Sequence, residues 1–206
     1  MLRFFTIGVV FAFGAVVQPG PLQTFIISRA LVSGWRHTWP AAFSPLLSDG
    51  PIAVLVITVL SQVPARFVAI LQLAGSAFLL YLAFGAFNAY RRFDYKKKHD
   101  EQSGRKSLFK AAIINLLNPN PYIGWSLVMG PLVIEAWRTA PAYPIALLAG
   151  FYGTMVTFTL VIIGAASAAG GIGPRVSRAL VGVSAICLAG FAFYQLWLGA
   201  RGLSAA

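Results

Sequence analysis

The sequence predicts an all-α integral membrane protein with six transmembrane helices, arranged as a 3+3 inverted repeat with broken first and fourth helices. Three observations carry this. The 206 residues are 58% hydrophobic and 10% charged, with a mean hydropathy of +0.77. A soluble domain is nearer 45–50% apolar and about 25% charged, so this chain has too little polar side chain to cover a water-facing surface. Six apolar runs each reach the roughly 20 residues that cross a hydrocarbon core. Finally, Pro-x-Pro recurs inside the first and fourth runs, as Pro19-Gly20-Pro21 and Pro119-Asn120-Pro121.

The runs cover roughly 5–28, 39–62, 67–90, 108–133, 143–168 and 178–200. They are continuous rather than alternating, so helices are expected and not barrel strands. Arg3 followed by apolar residues resembles a signal peptide. However, apolar character resumes after Gln18-Pro19-Gly20-Pro21 and reaches Ile27, too long for a cleaved apolar region. The run reads as a retained span. Residues 1–206 are expected to form one transporter domain: a first repeat at 1–90, a basic linker at 91–107 and a second repeat at 108–206.

Orientation follows from Lys and Arg. With six spans, one side holds four basic residues: Arg3, Arg66, Arg138 and Arg201. The other side holds the remaining twelve of the sixteen, eight of them from Arg91 to Lys110. Basic loops stay in the cytoplasm. Both termini are therefore expected outside and 91–107 in the cytoplasm, with the protein in the inner (cytoplasmic) membrane. The net charge of +11 lies in short segments between apolar runs. That pattern points to anionic lipid headgroups around 91–110 rather than nucleic acid.

Three spans per half is an odd number, so related halves must be inverted. Gln18-Pro19-Gly20-Pro21 aligns with Asn118-Pro119-Asn120-Pro121 at an offset of 100, and Trp35-Arg36 with Trp137-Arg138 at 102. Proline lacks an N–H and clashes with the carbonyl four residues back. It also pushes its predecessor out of helical geometry. Each Pro-x-Pro should therefore split its span into two half-helices around unwound backbone, which is tolerated in a bilayer only inside protein or beside a wet cavity. A restarting half-helix offers N–H groups and a positive dipole end to a carboxylate. A stopping one offers carbonyls to a cation. Two facing breaks would suit a zwitterion, with Gln18, Pro19, Gly20 and Pro21 on one side and Asn115, Asn118, Pro119, Asn120 and Pro121 on the other.

Five acids occur, and Asp49 alone lies within a predicted span. An embedded charge at a helix centre costs about 2.5–3.5 kcal/mol or more, so Asp49 is expected to face the bundle interior. There it either binds a substrate ammonium or carries protons. Tyr152 and Thr154 stand at the equivalent place in the second half. Cys187 reads as a small packing residue, and no cofactor or metal site is expected. The spans offer one acid and a lone cysteine, which is a poor set for catalysis or for a transition metal. Small residues Gly182, Ala185 and Gly190 could pack helices within one chain or between two copies in a homodimer.

Taken together, Pro19-Gly20-Pro21, the Ser28-Arg29 to Gly34 turn, Asp49, the basic linker and Asn118-Pro119 resemble the LysE superfamily of amino-acid exporters, including its homoserine-threonine branch. The resemblance covers nearly the whole chain. It implies export of amino acids or related small metabolites, driven by proton antiport. Two departures fall near the expected site. Asn120 stands where many members carry Lys, and Ser48 where a glycine often precedes the aspartate. A divalent-metal or other cation exporter of a related family is the alternative function, and a non-transporting membrane scaffold a further one.

Overall fold

A computed structural model describes residues 1–17, 20–58, 65–91, 104–171 and 173–204. All regular structure among them is helical. The elements are α1 (Leu2–Val17), α2 (Pro21–Thr38), a 3₁₀ segment (Trp39–Phe43), α3 (Ser44–Thr58), α4 (Ala65–Arg91), α5 (Gly104–Leu116), α6 (Pro119–Gly124), a π turn (Trp125–Met129), α7 (Gly130–Thr139), α8 (Ala142–Ala169) and α9 (Pro174–Ser204).

Three of the six predicted runs are continuous helices long and apolar enough to cross a membrane: Arg66–Arg91, Ala142–Ala169 and Arg178–Ser204. The first predicted run is broken. α1 stops at Val17, and helix resumes at Pro21 in a segment bent 70° from it. The fourth is broken after Leu116 and winds into a π turn nine residues later. The second opens as 3₁₀ helix and continues as α3. After each break the chain stays helical beyond the predicted end at 28 or 133, to Thr38 and Thr139. A bent path needs more residues than a straight one at 1.5 Å rise per residue. Within α2, Gly34 takes φ of +72°, a left-handed conformation that glycine adopts without a Cβ clash.

The longest contacts run between α4 and α9 and between α1 and α8, while α3 lies against α5. Several helix ends meet in pairs. Arg3 Nη2 lies 3.6 Å from Glu135 Oε1, Phe4 packs on Tyr143 with ring centroids 5.4 Å apart, and Gly202 abuts Ala69. Gly104 abuts Pro40, and the Arg178 guanidinium sits 5.0 Å from the centre of the Tyr90 ring. Large apolar side chains such as Phe84, Ile145, Val161 and Ile186 point outward. So much outward apolar surface is the signature of a lipid-facing exterior. Cys187 is also on this outer surface rather than packed inside. Gly182 rests against Tyr90 of α4 and Ala185 is buried, so both serve packing within the chain.

α1 and α8 cross at two glycines. A Cβ on Gly8 would strike the Leu147 carbonyl oxygen, and one on Gly150 the Phe5 carbonyl oxygen. Both obstacles are backbone, so neither helix can yield by turning a side chain. Such close approach through small residues is how membrane helices maximise packing without a hydrophobic drive between them. Gly150→Val should separate the pair and destabilise the protein by at least the 1–3 kcal/mol typical of overpacking. A markedly lowered melting temperature in detergent checks this, and an unchanged one would refute the tight crossing.

Candidate substrate-binding site

The two breaks leave backbone carbonyls without helical partners, and the restarting helices supply side chains to satisfy them. Gln23 Nε2 donates to the Val16 carbonyl at 3.3 Å, and the Tyr122 hydroxyl donates to the Leu116 carbonyl at 2.9 Å. Val16 and Leu116 are one hundred positions apart, the same offset as the Pro-x-Pro motifs. Different side chains thus solve the same problem, since an unpaired buried carbonyl costs about as much as a lost hydrogen bond. The helix starts differ. The Asn118 side chain caps α6 by accepting from the Asn120 N–H at 3.1 Å, whereas Gly20 precedes α2 in extended conformation without a side-chain cap. The positive end of α2, at Gly20, Leu22 and Gln23, borders the cavity described below.

Asp49 on α3 is 4% exposed. Asn115, in the last turn of α5 before the second break, donates through Nδ2 to Asp49 Oδ1 at 2.9 Å and to Ser48 Oγ at 2.7 Å. The Ser48 hydroxyl donates in turn to the Ser44 carbonyl at 2.9 Å. The side chains of Trp125 and Tyr152 lie near the same carboxyl. Trp125 is aimed there by the π turn, in which the Gly130 N–H reaches back to the Trp125 carbonyl. Single π turns inside α-helices commonly occur at functional sites.

These groups border a cavity of about 570 Å³. Of the residues the sequence singled out, Gly20, Asp49, Asn115, Asn118, Asn120 and Pro121 line it. Tyr152 stands behind Asp49. Pro21 and Pro119 are buried as the first residues of α2 and α6, where they shape the breaks. Thr154 is not among the lining residues. Gln18 and Pro19 lie outside the described residues, as do 92–103 of the predicted linker. The sequence reading missed Gln23, Trp125, Phe11, Met129, Phe151 and Met155, all of which line the cavity. Gln23 carried a signal, as a polar residue two positions after the first Pro-x-Pro.

A helical, lipid-facing fold with a carboxylate-bearing cavity between two helix breaks has the form of a membrane translocator. The profile of the LysE type translocators matches residues 13–199, and the chain belongs to that family. It is accordingly a multi-pass membrane transporter. It is 26% identical over 192 residues, 89% of this chain and 90% of the relative, to the "Putative amino acid efflux protein YcgF" of Bacillus subtilis (strain 168). No solved structure matches.

Proposed function

We propose that the protein is a secondary active exporter of amino acids or related small metabolites, coupled to protons, and that the cavity between the breaks is its substrate site. The observation that carries this is convergence: both breaks and the one acid predicted inside the membrane border a single cavity. An ammonium would pair with Asp49, and a carboxylate would face the uncapped start of α2. The named relative is described as an amino acid efflux protein. The polar lining, one carboxylate with amides and an indole, suits an ammonium better than a transition metal.

The same reading takes 1–90 and 108–206 as inverted repeats joined by the linker 91–107. Three observations support it. The first helix of each half packs on the second of the other, α1 on α8 and α5 on α3, while α4 and α9 pair across the centre. Ends expected on the same side meet in pairs: Arg3 with Glu135, Ala69 with Gly202, Pro40 with Gly104 and Tyr90 with Arg178. Asp49 meets Tyr152, its counterpart, as equivalent positions do beside a two-fold axis.

In proteoliposomes loaded with a labelled amino acid, an imposed proton gradient should drive net substrate movement, and substrate addition should move protons the opposite way. Substrate flux with no proton movement would remove the antiport, and no flux of any amino acid would remove the function. The orientation is tested separately. With Cys187→Ser as background, Ser103→Cys should resist an impermeant thiol reagent added to intact cells and react once the membrane is opened. Ready labelling from outside would reverse the assignment of both termini to the outer side.

A further inference from the structure

The cavity is lopsided in its chemistry. Its polar groups gather where Asp49, Asn115 and the two breaks meet. The rest of its wall is apolar: Val10 and Phe11 from α1, Met129 from the π turn, and Phe151 and Met155 from α8. Phe11 and Phe151 stack with centroids 5.8 Å apart. Among the described residues, Asp49 is the one charged side chain on the lining.

We propose that this site selects neutral amino acids with apolar side chains, aliphatic, thioether or aromatic, over dibasic and acidic ones. The inference rests on the reading of the cavity as an amino-acid site and adds the substrate class. With the ammonium at Asp49 and the carboxylate toward α2, the side chain has only the apolar wall to enter. A second ammonium, as in lysine, would find no second acid there, and a second carboxylate, as in glutamate, would find no cation. An uncompensated charge moved out of water is strongly disfavoured, whereas an apolar side chain is favoured by the area it removes from water. Space is not limiting, since about 570 Å³ falls within the 300–1,000 Å³ usual for small-molecule pockets. The flexible thioethers of Met129 and Met155 can adapt to side chains of different shape.

The test is a calorimetric titration of the purified, detergent-solubilised protein with leucine, methionine, phenylalanine, lysine, arginine and glutamate. The apolar set should bind at least about tenfold more tightly than any charged member, equivalent to about 1.4 kcal/mol or more. A smaller margin, or preference for a charged member, overturns the proposal while leaving an amino-acid site standing. Binding of none of the six by a protein with a normal melting transition overturns the amino-acid reading as well. Met155→Asp, placing a second acid in the wall, should shift the lysine-to-leucine ratio toward lysine by about tenfold or more. A folded Met155→Asp protein with an unshifted ratio would show that this wall does not contact the side chain. If that variant does not fold, the wild-type panel decides alone.

Discussion

Asp49→Asn should abolish proton-driven accumulation of substrate in vesicles. Asparagine preserves the shape and can still accept from Asn115, but it cannot ionise. If Asp49 carries the proton, the variant keeps substrate binding and substrate-for-substrate exchange while losing the response to a proton gradient. If Asp49 pairs with the ammonium, a buried charge-assisted contact is lost. Such contacts are worth about 1.5–3 kcal/mol, roughly ten- to a hundredfold in affinity, and exchange falls with binding. Wild-type binding together with wild-type response to the gradient would remove Asp49 from both roles. Asp49→Ala is a poorer test, because it also opens a cavity beside Asn115 and Ser48.

Closing the second break should be as severe. The triple change Asn118→Leu, Pro119→Ala and Pro121→Ala removes the cap on α6 and both prolines that keep α5 and α6 apart. Alanine is favoured over proline inside a helix by about 3 kcal/mol at each position, so α5 and α6 are driven toward one continuous helix. Asn118, Asn120 and Pro121 would then leave the cavity lining they now form. The protein should still melt cooperatively, because the α1–α8 and α4–α9 contacts lie elsewhere. Substrate flux in vesicles should fall more than about a hundredfold, matching the loss of two or more buried polar contacts at about 1–1.5 kcal/mol each. Flux within a fewfold of wild type would show that the unwound segment is not needed.

The sequence carried the breaks because proline acts locally. Its missing N–H and fixed geometry interrupt a helix whatever surrounds it, and α1 and α5 do end just before the motifs. Asp49 was legible by elimination, as the acid that lipid would penalise most. Tyr152 was reached through the repeat alignment, and it lies beside Asp49. Thr154 stands outside the cavity lining. Alignment names a stretch of α8 but not a face, and residues two apart on an α-helix point roughly 200° apart. Phe151 and Met155, four apart and so on one face, are the pair that α8 turns to the cavity. Trp125 and Met129 depended on the π turn, which shifts the helix register by one residue and has no marker in sequence as strong as proline. Gln23 and Tyr122 depended on which carbonyls the breaks would expose, Val16 and Leu116 rather than the neighbours the prolines alone would suggest.

Entry of substrate into the cavity between the two breaks, beside Asp49, can be tested directly. Trp125 is a built-in reporter, because it lines that cavity and lies against that carboxyl. A protein keeping only this tryptophan, with Trp35, Trp39, Trp137 and Trp197 replaced by Phe, should be titrated with leucine, methionine and phenylalanine while its emission is recorded. A saturable change in Trp125 fluorescence is expected, with a midpoint that matches the calorimetric affinity. Binding detected by calorimetry with no change in Trp125 emission at saturation would place the substrate elsewhere and contradict entry at this cavity.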